Sequence, residues 1–163
     1  MDSKAILGIC VLLSFVAFAR VAQLYIWPRV QGLPRKDALN ALVVPHMFRF
    51  VGLSFLMPGV VSPAMPSAFA NPAAYGDLAA ALLAIVATLA LSASASWAIA
   101  VVWLFNIEGT VDLLFAYYQG LIGVGLGPGV LGAAFYIPTV IVPPLLVTHV
   151  LIFRLLLRAQ RLG

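Results

Sequence analysis

Charged residues are scarce in this chain. Lys, Arg, Asp and Glu make up only 9% of its 163 residues, and cysteine occurs once, at Cys10. So little charge excludes the solvated surface of an ordinary soluble domain, in which about 25% of residues are charged. A single cysteine excludes an intramolecular disulfide and a cysteine-based metal cluster, and its place within an apolar run fits a small buried side chain.

Apolar sequence takes the place of the missing charge. Hydrophobic residues make up 64% of the chain, and its mean hydropathy is +1.11. Several continuous apolar runs of about 20 residues match helices that cross a hydrocarbon layer about 30 Å thick. A β-barrel would instead show alternating segments of about ten residues. The sequence therefore predicts an all-α, polytopic integral membrane helical bundle that forms a single domain over residues 1–163.

The apolar runs predict about five transmembrane helices. One boundary has two possible places, because the apolar stretch 77–120 holds two helices and its turn could fall at "SASAS" (92–96) or at "NIEG" (106–109). A turn at "NIEG" would make the third helix about 28 residues or 42 Å long. The "SASAS" turn gives better balanced lengths and is preferred. The predicted spans are about 5–26, 39–57, 77–92, 97–120 and 133–157.

The basic residues predict the orientation of the bundle. They lie at the ends of the predicted helices, in the first loop and after the last span, whereas the proline-rich loop after the second span has no Lys or Arg. By the positive-inside rule, the N-terminus is outside and the C-terminus inside. This spread along helix ends also argues against a nucleic-acid partner and for the lipid bilayer. The two basic groups are Arg29, Arg35 and Lys36, and then Arg158 and Arg161.

The first apolar run has a second interpretation as a secretory signal. Lys4, an apolar core and the sequence "AFA" before Arg20 resemble a signal peptide with its cleavage site. Cleavage would leave both basic groups outside, against the positive-inside rule, and Asp2 cancels the charge of Lys4. A retained first helix is therefore preferred.

Polar residues on three predicted helices lie at similar depths, roughly 10 to 17 Å from the inner ends, with Asp112 a turn deeper. A lone charge facing lipid costs about 2.5 to 3.5 kcal/mol, so the charged members should turn inward and pair. We expect Glu108 and Asp112 to meet Arg49 and Arg20 inside the bundle. The candidate substrate or proton site consists of His46, Arg49, Asn106, Glu108, Asp112, Gln119 and His149.

No cofactor is expected from the sequence, but two alternatives involve the histidines. His46 and His149 lie at matched depth on different helices and could hold a haem between them. A metal site that combines them with Glu108 and Asp112 has suitable ligand types, although the spacing matches no strong motif. The prediction is therefore no metal, with haem as the alternative.

The sequence gives no support for hydrolase or nucleotide chemistry. "GVGLGPG" lacks the Lys and Ser/Thr of a phosphate loop, and no serine lies in an elbow motif. Three hypotheses remain. The preferred one is a non-enzymatic multi-pass protein of a bacterial plasma (inner) membrane whose polar layer binds or passes a small solute or proton. The second is a structural or accessory subunit, whose charges latch the bundle, another membrane protein or a homo-oligomer. The third is a haem-binding electron carrier or membrane enzyme using His46 and His149.

Overall fold

The computed structural model describes residues 2–158. Over this range the chain is mainly helical, and its β pairing is limited to an isolated bridge between Pro58 and Val61. Five helices are long and apolar enough to cross a membrane, which confirms the all-α prediction and the number of candidate spans. They are α1 (Ser3–Val30), α2 (Arg35–Leu56), α3 (Ser67–Ser92), α4 (Ala98–Gly123) and α5 (Ile137–Leu157).

Helix α3 begins ten residues earlier than predicted, at Ser67 and not at residue 77. The prolines before residue 77 favour a loop in the sequence. Pro72 is nevertheless inside the helix, where it removes one backbone donor near the N-terminus. Packing offsets that loss: Phe69 is buried and lies edge-on against Phe55 of α2, with ring centroids 5.3 Å apart. Tertiary contacts therefore extend the helix through a proline-containing segment.

The break between α3 and α4 falls within and just after "SASAS". Helix α3 ends at Ser92 and α4 begins at Ala98, so "NIEG" lies inside α4. The amide of Ala95 donates to the carbonyl of Ala90, and Ser94 adopts a left-handed conformation with φ 52°. This is the usual way to close the C-terminus of a helix.

Four of the long helices contain 3₁₀ or π segments, and those in α1, α2 and α5 lie at a proline. In α1 a π turn at Ala22–Ile26 precedes Pro28, so the helix continues to Val30 and not only to residue 26. A long 3₁₀ helix forms the second part of α2, and α5 opens with a π turn over Ile137–Ile141. Because proline lacks an N–H group, the helix shifts its hydrogen bonds by one residue there.

The other helix ends also differ from the predicted spans by a few residues. Helix α2 begins at Arg35 and not at residue 39, and α4 continues through a π turn to Gly123 and not to residue 120. Two short helical segments, Pro128–Leu131 and Gly132–Phe135, precede α5. Much of the stretch between the predicted fourth and fifth spans is therefore helical.

The buried apolar residues form two clusters, one toward each end of the bundle. The first includes Leu39, Leu91 and Ile152, and the second includes Phe55 and Leu113. On α2 to α5 the buried polar residues other than Thr88 and Thr139 lie, in sequence, between the members of these two clusters. Helix α1 is peripheral, because only 11% of the residues in its apolar 18-residue stretch are buried. These buried polar residues form a polar layer that divides the core of the other four helices.

Basic side chains gather at the end of the bundle that contains the "SASAS" turn. Arg35 donates to the carbonyl of Leu156 at 2.8 Å, and Lys36 donates to the hydroxyl of Ser94 at 3.1 Å. Arg158 lies over the ring of Trp27, with 5.4 Å from its guanidinium carbon to the centroid. These contacts put the first loop, the "SASAS" turn and the end of α5 together. Arg161 lies outside the described residues.

Candidate functional site

The 3₁₀ part of α2 aligns polar residues along a single line. This segment runs over Val44–Leu56, and its buried residues are His46, Arg49, Gly52 and Phe55, each three positions after the last. Side chains three apart eclipse one another in a 3₁₀ helix, whereas in an α-helix they would drift around the axis. The backbone of α2 therefore directs a histidine and an arginine toward the same neighbouring helices.

Arg49 lies at the centre of the buried layer, with 1% of its surface exposed. Its Nε donates to Asp77 of α3 at 2.7 Å, and its Nη2 donates to Asp112 of α4. Its Nη1 donates to the carbonyl of Gly109 at 3.2 Å. Each guanidinium nitrogen thus has a partner, and the side chain joins three helices.

The predicted pairing is correct for Asp112 and wrong for Glu108. Glu108 forms no ion pair with Arg49; it is half-buried, and its Oε2 has no hydrogen-bond partner among the described residues. The second partner of Arg49 is Asp77, which is absent from the predicted site. The hydropathy pattern puts residue 77 at the beginning of the third span, where a carboxylate would face water and would lie outside the polar layer.

Arg20 does not reach the layer, contrary to expectation. It is exposed on α1, and its Nη1 donates to Oε1 of Gln23 at 2.6 Å. Gln119 is also separate from the layer, because it begins the final π turn of α4, about 10 Å along the helix from Asp112. Its Oε1 lies beside the backbone of Gly123.

Three glycines provide the space that the charged groups occupy. A Cβ atom at Gly52 would overlap the carboxylate of Asp77, and one at Gly76 would overlap that of Asp112. A Cβ at Gly109 would lie 2.6 Å from Nη1 of Arg49. Real Cβ atoms essentially never come that close, so α2, α3 and α4 each need a glycine beside the ion pairs.

The histidines form a second polar group beside the ion pairs. Asn106 accepts from Nδ1 of His149 at 2.7 Å, and its amide donates to the carbonyl of the same residue at 3.3 Å. Nε2 of His46 lies 2.9 Å from the hydroxyl of Thr148, which itself donates to the carbonyl of Leu145. Because the hydroxyl proton of Thr148 is used in that bond, Nε2 of His46 donates a hydrogen bond to the Thr148 oxygen. These bonds leave Nδ1 of His46 and Nε2 of His149 buried without a partner.

The histidine pair does not fit the haem hypothesis. The rings of His46 and His149 pack directly on each other, with centroids 4.3 Å apart, and both are fully buried. A haem ligated by both would have to lie between the rings, where there is no gap. The described residues also contain no cluster of three or more His, Cys, Asp or Glu side chains that could hold a metal ion. The predicted combination of both histidines with Glu108 and Asp112 is therefore not assembled as a metal site.

Open grooves lie to the side of the buried layer. One of about 340 Å³ lies between α2 and α5 and is lined by Arg49 together with Pro45, Phe48, Ile141 and other apolar residues. A larger one, of about 530 Å³, lies between α1 and α5 and includes none of the buried charged residues. The larger groove is therefore separate from the buried charged residues, whereas Arg49 borders the smaller one.

Fold and site together define a class: an all-helical bundle with five candidate membrane-spanning helices and a buried layer of ion pairs and histidines. Within it, the chain belongs to the family described as Domain of unknown function (DUF8737), whose model matches residues 6–157. A search of curated proteins and a search of solved structures each found no match.

Proposed function

We propose that this chain is a multi-pass membrane protein whose buried polar layer takes up and passes protons. The observation that carries the proposal is the composition of the layer. Arg49 faces two carboxylates, those of Asp77 and Asp112, and Glu108 lies one turn of α4 from Asp112. One fixed cation therefore accompanies three acids.

The histidines do not correct this imbalance. A second proton on His46 or His149 would sit on a ring nitrogen that has no acceptor, and a buried, unpaired donor is costly. With neutral histidines and all three carboxylates ionised, the layer would carry a net charge of three negatives and one positive, or −2. A charge in the hydrocarbon interior costs several kcal/mol unless it is compensated. Bound protons or cations must supply the compensation.

Protons fit the layer better than a metal cation or a larger solute. The guanidinium of Arg49 already fills the space between the two aspartates, and a proton needs no further cavity. Oε2 of Glu108 has no hydrogen-bond partner among the described residues and can hold a proton. The unpartnered Nδ1 of His46 and Nε2 of His149 can only pass a proton on, because a proton held there would have no acceptor. Acidic and histidine side chains in such an arrangement are typical of proton relays.

The proposal includes an orientation and a location. The basic end of the bundle, with Arg35, Lys36 and Arg158, faces the cytoplasm by the positive-inside rule, so the N-terminus is outside. The membrane is the plasma membrane of a bacterium. The exposed apolar surface of α1 contacts lipid, another membrane protein or a second copy of the chain.

Proton flux into proteoliposomes tests this function. Vesicles loaded with a pH-sensitive dye and given a potassium diffusion potential should acidify faster with the protein than without it. Glu108→Gln should return the rate to that of protein-free vesicles, because it removes a proton-binding carboxylate. The variant should still fold, since Glu108 forms no ion pair whose loss would unfold the bundle. Asp37→Asn removes an exposed acid at the start of α2 and is the matched control.

Two results would refute the function. The first is a wild-type rate equal to that of protein-free vesicles. The second is an unchanged rate in both Glu108→Gln and Asp112→Asn. Either result would favour the structural alternative, in which the layer only latches the helices of an accessory subunit. That alternative rests on Arg49, whose three nitrogens are all engaged in one arrangement.

A further inference from the structure

A groove between α1 and α5 combines aliphatic side chains with two arginines. It has a volume of about 530 Å³, within the range of about 300 to 1,000 Å³ of ligand pockets. Along α1 it extends from Val16 to Trp27, about 16 Å at 1.5 Å per residue. Most of its lining is aliphatic, but Arg20 and Arg154 also line it, and no acidic residue does.

The two arginines lack carboxylate partners. Among residues 2–158, the ion pairs all belong to Arg49, so neither Arg20 nor Arg154 is neutralised by a carboxylate of this range. Arg20 shares a hydrogen bond with Gln23, which also lines the groove. Arg154 lies over the ring of Trp27, at 5.7 Å from its guanidinium carbon to the centroid. The groove therefore combines two positive charges with a largely apolar lining.

The local backbone adds a second observation. The π turn at Ala22–Ile26 lies within this groove, and Ala22, Gln23 and Trp27 are among the residues that line it. Single π turns inside α-helices are rare and occur frequently at functional sites. Here the turn follows from Pro28, and it changes the direction in which Gln23 and Trp27 project from α1.

We propose that this groove binds an anionic phospholipid. The phosphate of its headgroup contacts Arg20 and Arg154, and an acyl chain lies along the aliphatic wall formed by α1 and α5. Basic pockets between membrane helices on the cytoplasmic side bind such headgroups. Trp27, flanked by Arg154 and Arg158, is suited to the interface at this end, where tryptophan is enriched.

Native mass spectrometry tests the proposal on the full chain released from detergent. Phosphatidylglycerol and phosphatidylcholine with identical acyl chains are titrated separately. We expect wild-type protein to prefer phosphatidylglycerol, and Arg20→Gln and Arg154→Gln each to weaken its binding about fivefold, the effect of one basic residue near a lipid surface. Arg29→Gln is the matched control, because Arg29 is exposed on α1 and does not line the groove.

A steric variant tests the acyl-chain half of the groove. Val150 lines it and is 53% exposed, so Val150→Trp should fill the groove without disturbing the core. It should weaken the binding of both lipids. The proposal fails if the Arg20→Gln/Arg154→Gln double variant binds phosphatidylglycerol like the wild type. It also fails if the groove is covered by a second copy, seen as a lipid-free dimer that Val150→Trp dissociates. Neither result depends on proton flux.

Discussion

Replacing Arg49 with methionine is the sharpest test of how the buried layer is held together. The substitution removes the one cation and leaves Asp77 and Asp112 buried without compensation. Breaking a buried pair in this way costs about 3 to 5 kcal/mol. For a chain of this size each kcal/mol corresponds to about 2 to 4 °C in Tm, so we expect Tm to fall by about 6 to 20 °C.

Substitutions of the two aspartates should lower Tm less than Arg49→Met does. Asp77→Asn or Asp112→Asn leaves Arg49 with the other aspartate and lowers the excess of negative charge. The loss of a charged hydrogen bond is then at most about 3 kcal/mol. Combining Arg49→Met with either change should recover part of the loss, and the triple variant should recover more.

The assay is thermal unfolding in mild detergent, followed by tryptophan fluorescence. Arg20→Met is the matched control, because it removes an exposed arginine from α1 and should leave Tm nearly unchanged. Additive losses in both double variants, with no recovery in the triple variant, would refute the ion-pair arrangement. A larger decrease in Tm for Asp112→Asn than for Arg49→Met would contradict an excess of acids over Arg49.

Three further predictions concern packing, topology and cofactor content. Gly109→Ala should destabilise the protein by about 1 to 3 kcal/mol through overpacking, whereas Gly8→Ala, where a Cβ meets nothing within 4 Å, should not. On a Cys10-free background, a cysteine at Ser94 should react with an impermeant thiol reagent from the cytoplasmic side only, and one at Ile107 should stay protected. The reverse labelling would contradict the proposed topology. The purified protein should show no Soret band, and a haem spectrum would overturn the histidine geometry.

Hydropathy was sufficient for the number of helices but not for their ends. Composition indicates where about 20 apolar residues occur together, and all five long helices contain such a stretch. It does not indicate that Pro72 is tolerated within α3, because that depends on how Phe69 packs against α2. Hydropathy also does not indicate that the polar sequence "NIEG" lies inside a helix. Its Asn106 side chain is buried there because it forms hydrogen bonds with His149.

The site was only partly predictable for a related reason. Depth along straight α-helices brought His46, Arg49, Asn106, Asp112 and His149 together correctly. It could not show the 3₁₀ geometry of α2. At 100° per residue, an α-helix would put His46 and Phe55 about 180° apart, whereas both are buried on one line.

Asp77 was missed because its depth depends on where α3 begins. Placed at the start of the third span, it has the position of an interfacial carboxylate. With ten residues of helix before it, it becomes a buried partner of Arg49. The glycines that make room for the ion pairs lie on the facing helices, where Gly52 borders Asp77 and Gly76 borders Asp112, and sequence order does not reveal this pairing.

Infrared spectroscopy of the carboxyl groups tests the central claim most directly. The excess of acids over Arg49 predicts that the wild-type protein at neutral pH shows the C=O stretch of a protonated carboxylic acid. The band should weaken in Glu108→Gln or Asp112→Asn and persist in Asp37→Asn. A wild-type spectrum with ionised carboxylates alone would contradict the proposal that the layer holds protons.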